Sequence, residues 1–477
     1  VGPLLLRPTI WIAPFSLLLF GAASVLVVTR SASIYGLASL LLLLIVAIAL
    51  HGTLAEDRPA ANRLTEYYLL MAAGGALGGL FPALIAPQLF DWVYEHPILL
   101  LAAALLLPAK PLVPWLGRLW PTKRPSIRVL KLVLPLSGAA LGWWLGANFF
   151  WYATTPYTLS VLALLALLAL LTIGRRWLFT WMMAMLMLGV GGWQQIDIST
   201  MDKVRQRSFF GVYSIEVDPV TGAKRLLNGT TLHGLQSLDP YRSRLPLSYY
   251  APESGVGLAM QAAPSLYGAG ARIAVVGLGT GSLVCYAQPG EDWTMFEIDP
   301  LAVEIATDPA RFSFVSQCKP DLHIVVGDAR LKLAEEPDRR FDVLALDAFS
   351  SDAIPLHLMT REAFETYRRV LAPGGVLLVH ISNRYLDLQP VVAAIAKDLG
   401  LASRIMSYYP DADGYQEGYS ASIWIALTSD EGAMTRFTEA TGASAAWEPN
   451  LPKKDFPAWT DDFASVLPVL HNLSLGF

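Results

Sequence analysis

The chain has 477 residues, of which 54% are hydrophobic and 16% charged, a composition too apolar for a water-soluble protein of this length and one that implies a part adapted to lipid. A net charge of −4 gives no support to nucleic acid as a partner. The two cysteines, Cys285 and Cys318, fit no metal-ligand spacing and offer too few pairs for a disulfide framework, so both are expected as small buried residues.

The apolar excess lies before Trp193, and the residues after Ile196 carry the charge and turn residues of a soluble domain. A helix needs about 20 mostly apolar residues to cross the hydrocarbon layer, and stretches near 9–28, 33–51, 65–89, 97–116, 129–150, 156–173 and 176–193 qualify. An all-α transmembrane helical domain of about seven spans is therefore expected over 1–195, with the lipid bilayer as its partner. The first stretch starts almost at Val1 with no small-residue cleavage site behind it, which reads as a span and not as a removable signal. Gly74, Gly75, Gly78 and Gly79 recur at helical spacing in the third span, a pattern that predicts close packing of another helix. The spans hold almost no ionisable residues, which argues against a transport pathway. Trp143, Trp144, Trp151 and Tyr152 suit an interfacial aromatic belt. Arg118, Lys123, Arg124, Arg128 and Lys131 in the fourth connection and Arg175 and Arg176 in the sixth are cytoplasmic by the positive-inside rule, which with seven spans puts the rest of the chain outside.

From Ser208 to Gln236 the sequence alternates and turns, with Thr221-Gly222 and Asn228-Gly229 as hairpin signals, so a small β-element is expected over 205–250. The main fold follows over 251–430, with 431–477 as a C-terminal extension. Ile273 to Val276 is a short apolar run of the kind buried in a parallel sheet, leading into Gly277-Leu278-Gly279-Thr280-Gly281 and a helix, the strand, glycine loop and helix of an α/β Rossmann-like domain. Gly277, Gly279 and Gly281 let backbone approach a nucleotide. A second strand ends in Glu297, about 20 positions on, where such folds bind ribose hydroxyls. Asp299 precedes Pro300 and suits a helix cap as well as a ligand. A third strand ends before Asp328 and Ala329, placed for an adenine edge, and a fourth ends before Asp347. A fifth ends in His380, facing the same crevice. Because ligands bind at the carboxyl ends of such strands, Glu297, Asp328 and Asp347 converge on one crevice. One acidic residue serves a dinucleotide; three suit a cationic sulfonium ligand with an amine acceptor.

These residues resemble the spermidine synthase (polyamine aminopropyltransferase) family, and more closely a bacterial group of membrane proteins with a spermidine-synthase-like domain behind transporter-like helices. The match runs from Ser208 to about Leu427 and includes the glycine loop, Glu297-Ile298-Asp299-Pro300, Gly327-Asp328-Ala329, the strand ending at Asp347, and Pro373-Gly374-Gly375. Arg58-Pro59 through Gly78-Gly79-Leu80-Phe81 is similar to the membrane part of that group, of which this chain resembles a shortened version. The resemblance implies a transferase whose co-substrate is decarboxylated S-adenosylmethionine or S-adenosylmethionine, without a metal, acting on an amine such as a polyamine. It implies that Gln236 and Glu297 hold the donor's tail or ribose, that Asp328 holds the adenine, and that Asp347 takes the place of the catalytic aspartate. Tyr249, Tyr250 and Glu253 stand where the family has a Tyr-His-Glu run at its polyamine site, and the histidine is missing here. The family's Asp-x-x-Asp-Pro motif is lengthened to Asp347 through Pro355, which makes Asp352 the match to its second aspartate. His380 is a further acceptor contact, and a homodimer is compatible with the family.

Three functions follow: a membrane-anchored aminopropyltransferase, a methyltransferase using ordinary S-adenosylmethionine, and a non-catalytic polyamine or nucleoside sensor or transport accessory. An inner-membrane location fits all three. The charge pattern places the soluble domain outside, whereas supply of the donor places it in the cytoplasm. An amine with a pKa of about 10.4 is mostly protonated at neutral pH, so a carboxylate must orient it and help it lose a proton, and Asp347 is the candidate.

Overall fold

The computed structural model describes residues 3–25, 32–107, 125–152, 155–202, 204–218, 222–348 and 355–471. The chain divides into two compact units, one reaching residue 203 and the other starting at Val204.

The described part of the first unit is helical, and each expected span overlaps a helix there. Among the described residues, three helices are long and apolar enough to cross a membrane: Gly36–Glu56, Ala61–Leu89 and Lys131–Phe149. Thr9–Phe20, Glu95–Leu106 and Pro156–Leu171 are apolar but shorter, and much of the expected fourth span lies outside the described residues. The expected last span is the helix Arg176–Met187, which passes into a wide turn at Leu188–Gly192 because Gly191 takes φ 138°. The tight helix packing expected at Gly74, Gly75, Gly78 and Gly79 is absent among the described residues, since a Cβ added at any of them would meet nothing within 4 Å. It occurs instead at Gly138, Gly142 and Gly146, spaced by four on the helix Pro125–Tyr152. A Cβ on Gly142 would lie 2.7 Å from the Met185 carbonyl oxygen, and one on Gly146 would lie 2.2 Å from the Trp193 ring. Of the proposed aromatic belt, Trp143 is exposed; the side chains of Trp151 and Tyr152 lie outside the described residues.

The second unit begins with the expected β-element, an antiparallel sheet in the order β1 (Arg205–Arg207), β2 (Val212–Val217), β3 (Ala223–Asn228) and β4 (Thr231–Ser237). Gly229 takes φ 60° in the β3–β4 turn as its sequence predicts; Thr221 of the other turn signal lies outside the described residues. The larger sheet has the order β12-β10-β11-β9-β8-β5-β6-β7 among the described residues. Here β5 is Arg272–Val276, β6 Asp292–Glu297, β7 His323–Val326, β8 Phe341–Leu346, β9 Leu371–His380, β10 Ala402–Tyr408, β11 Ser422–Thr428 and β12 Glu448–Pro449. Strands β7, β6, β5, β8 and β9 run parallel, and β11, β10 and β12 add antiparallel. Strand order reverses between β5 and β8, which opens a crevice at their carboxyl ends. Helices cover both faces, so Ile273 to Val276 and all of Phe341 to Leu346 are buried, each large aliphatic side chain stabilising the fold by roughly 1.5–3 kcal/mol. Residues past 430 are part of this sheet: the helix Glu431–Ala440 buries Met434 and Phe437, and β12 pairs with β10.

Two further expectations change. The helix after the glycine loop is only a 3-10 turn, Ser282–Tyr286, because Pro289-Gly290 stops it. The cysteines, expected as separate thiols, form a disulfide: 33 residues apart in sequence, their Cα atoms are 4.9 Å apart, because that turn packs against the helix Phe314–Cys318. Closing a loop of this length contributes about 3–4 kcal/mol in the chain-entropy picture. Reduction, or Cys285→Ser, is expected to lower the unfolding free energy of the intact chain by that amount; an unchanged unfolding midpoint in reductant would show that the bridge adds nothing.

Candidate active site

Each parallel strand delivers one candidate site residue to the crevice at its carboxyl end: Gly277 after β5, Glu297 on β6, Asp328 after β7, Asp347 after β8 and His380 on β9. Gly277, Gly279, Glu297, Asp328, Ala329 and Asp347 line one cavity of about 280 Å³. A second cavity, of about 430 Å³, is lined by Thr231, Asp347, His380, Ser382 and Arg384 among others. Asp347, Tyr249 and His233 line both cavities.

The glycine loop is shaped by contact. Gly277 takes φ 98°, and a Cβ there would lie 2.1 Å from the Asp347 carbonyl oxygen; only glycine fits without moving that strand end. The loop is also pinned by Glu297, whose Oε2 accepts the Leu278 N–H at 2.9 Å while Oε1 accepts the Asp299 N–H at 2.9 Å. Burial pushes the Glu297 carboxyl up, against the pull of those backbone hydrogen bonds. Asp299 caps the helix Pro300–Thr307 through Leu301 N–H, as one of its two readings has it, and accepts from the Ser208 hydroxyl. Asp328 caps the helix Ala329–Glu335 through the Leu331 N–H, and its other oxygen meets His357 Nε2 at 2.7 Å.

Asp347 is the most constrained of these groups, with its side chain 5% exposed. One oxygen accepts from the Tyr250 hydroxyl and the other meets His380 Nδ1 at 2.6 Å. Burial pushes its carboxyl up, but adjacent His380, the Tyr250 hydroxyl and nearby His233 outweigh burial and hold it below the usual carboxylate range. Tyr250 stays a phenol, because burial and then Asp347 push its hydroxyl well above the usual value. The imidazole of His380 lies between Tyr249, with ring centroids 5.1 Å apart, and Trp424, 4.6 Å apart.

Three expected site residues stand elsewhere. The Gln236 amide donates to Ser243 C=O and Ser313 Oγ and accepts the Ser313 N–H; it ties β4 to the segment before Phe314 and does not line the cavity. Gly281 supports the loop from beneath, against Val315. Glu253 is exposed and away from both cavities. Asp352 lies outside the described residues. His233, Ser382 and His357 join the site without having been singled out in the sequence, where each is a lone polar residue without a motif. His380 and the two tyrosines were singled out as acceptor contacts; the grip of His380 and Tyr250 on Asp347 was not.

A polyamine aminopropyltransferase of Vibrio vulnificus is 35% identical over 114 residues, which is 23% of this chain and 37% of the relative. A probable polyamine aminopropyl transferase of Bifidobacterium longum is 28% identical over 166 residues, 33% of each chain. The matched segment of this chain is similar to polyamine aminopropyltransferases. It spans about a third of the length of these curated relatives. No family model matches it. Among solved structures, a probable spermidine synthase from Corynebacterium glutamicum is similar with a TM-score of 0.40 at 17% identity, over 55% of this chain and 97% of that one.

Because folding lowers the Asp347 pKa, its partners' contribution to stability is present above the unfolded value of about 3.9 and lost as pH falls through the lowered folded value. Asp347→Asn is therefore expected to flatten the acid side of the stability curve. Unfolding midpoints measured between about pH 3 and 7 test this; parallel curves for the two proteins would refute it.

Proposed function

We propose that the sheet-bearing unit transfers an aminopropyl group from decarboxylated S-adenosylmethionine, held in the first cavity, to an amine held in the second. The observation that carries this is the position of Asp347 in the wall common to both cavities, where a sulfonium-bound carbon and an attacking nitrogen would meet. The similarity to polyamine aminopropyltransferases supports the reaction class. In this reading Gly277, Gly279 and Ala329 offer backbone to the nucleotide, Glu297 faces the ribose and Asp328 the adenine. Asp347, with Tyr249 and Tyr250 around it, holds the amine in line with the breaking carbon–sulfur bond.

The choice between the two sulfonium donors follows from charge. No lysine or arginine lines the first cavity among the described residues, so the carboxylate of ordinary S-adenosylmethionine would be desolvated without a guanidinium or ammonium partner. The decarboxylated donor avoids that cost. Its own ammonium suits a cavity walled by Glu297, Asp328 and Asp347.

The helical unit is read as the membrane anchor. Leu40, Leu43, Leu69 and Leu70 are each about two-thirds exposed, and of the Ala61–Leu89 helix only 6% of its apolar window is buried; a lipid surround would cover both. For the side of the membrane, the loop charges and the Cys285–Cys318 bridge, which persists in oxidising compartments, favour the outer face, while donor supply favours the cytoplasm. A reporter fused after Phe477 that is active only outside is the result the bridge and the loop charges lead to; activity of a cytoplasmic reporter would overturn it.

Calorimetry of the full chain in detergent or nanodiscs is expected to show the decarboxylated donor binding at least tenfold more tightly than S-adenosylmethionine. Binding of neither would sink the transferase reading, and the reverse order would favour methyl transfer. Asp347→Asn is expected to reduce turnover by at least about 100-fold, within the range of a lost acid–base group, while donor affinity changes less than threefold.

A further inference from the structure

The aminopropyl-transfer reading leaves open where the amine's proton goes, and the surroundings of Asp347 answer it. Both carboxylate oxygens are already accepting, one from Tyr250 and one from His380. The carboxyl is also a poor destination. An amine of pKa about 10.4 lies some 6.5 units above a carboxyl of about 3.9 but only about 4 units above an imidazole of about 6.5, a difference of roughly 400-fold in the transfer equilibrium.

The imidazole has a route to the acceptor. His380 Nε2 is 2.8 Å from the Ser382 hydroxyl. That oxygen accepts the Ile423 N–H at 2.7 Å, and it lines the second cavity. A hydroxyl has one proton and two lone pairs. With one lone pair taken by Ile423, its proton is placed to donate to Nε2 and its second lone pair serves the cavity. That assigns the Nδ1–H tautomer to His380, with Nδ1 donating to Asp347 at 2.6 Å. Asp347 and Tyr249 lie against the ring, Tyr250 bonds to Asp347, and Arg384 and His233 share the cavity. The faces of Tyr249 and Trp424 on either side of the imidazole suit a ring that becomes cationic.

We infer that His380 takes the acceptor's proton through Ser382, with Asp347 as the anion that orients the imidazole and stabilises its charged form. The ammonium gives a proton to Ser382 Oγ as the Ser382 proton passes to His380 Nε2. The neutral nitrogen then forms its bond to the donor carbon, the carbon–sulfur bond breaks, and its electron pair neutralises the sulfonium to a thioether. The product leaves as a secondary ammonium, and the imidazolium returns its proton to water through Ser382.

The test uses the full chain with decarboxylated S-adenosylmethionine and a diamine, reading turnover against pH and donor binding by calorimetry. His380→Gln should bind donor within twofold of the unmodified protein, lose at least 100-fold in turnover at pH 7, and recover progressively as pH approaches the acceptor's own pKa. Ser382→Ala should lose about tenfold with the same recovery, and Ser382→Thr, which keeps the hydroxyl, should restore most of it. A loss equal at every pH would mean a structural role and overturn the relay. Nitrogen-15 spectra of histidine-labelled protein, assigned with His380→Gln, give a readout independent of turnover: an Nδ1–H tautomer supports the relay and an Nε2–H tautomer overturns it. No turnover in the unmodified protein would instead overturn the transfer reading on which the relay rests.

Discussion

A buried carboxylate has to be partnered, because an isolated charge in a low-dielectric interior costs far more than a fold of marginal stability can tolerate. Asp347 meets that requirement with groups brought from distant parts of the chain: Tyr250, 97 residues earlier, and His380, 33 residues later. Much of the site's geometry follows from this. Holding Tyr250 in place fixes the neighbouring Tyr249, which stacks on His380. His380 is held on its other face by Trp424 of β11 and at its far nitrogen by Ser382. The antiparallel strands added to the parallel sheet therefore supply one wall of the site.

The same strand end constrains the nucleotide side. Asp347 donates its backbone N–H to the Val276 carbonyl, and its own carbonyl sits where a side chain on Gly277 would be. The glycine loop and the strand that ends before Asp347 are thus in backbone contact. Glu297 holds the next residue of the loop through Leu278 N–H, and β4 approaches from above where Gly234 leaves room for Thr280. A nucleotide seated on this loop would be positioned by the element that positions Asp347.

The parallel-strand pattern was legible because it depends on local chemistry. Short apolar runs ending in Gly277, Glu297, Asp328 and Asp347 are strands buried on both faces, and period and spacing suffice to read them. The partners of Asp347 were not legible, since a contact across 97 residues leaves no trace in spacing. Gln236 shows the converse. Resemblance gives it a ligand, yet its amide is taken up by Ser243 and Ser313, and no local feature of the sequence distinguishes a polar group that binds substrate from one that braces a turn. The disulfide escaped notice for a related reason. Cys285 and Cys318 meet only because the turn after the glycine loop is short enough to pack on Phe314–Cys318.

The two glycine patterns of the helical unit show the same dependence on a distant partner. Gly74, Gly75, Gly78 and Gly79 are at least as suggestive in sequence as Gly138, Gly142 and Gly146, but only the second set meets neighbours closer than an added Cβ would allow. Small residues permit close approach without naming what approaches. What decides is the shape of the other helix: Met182 presents its thioether to Gly138, Met185 presents its backbone carbonyl to Gly142, and the turn at Gly191 brings Trp193 against Gly146. A break in one helix thus makes a groove in another useful, a relation between two segments that neither segment encodes by itself.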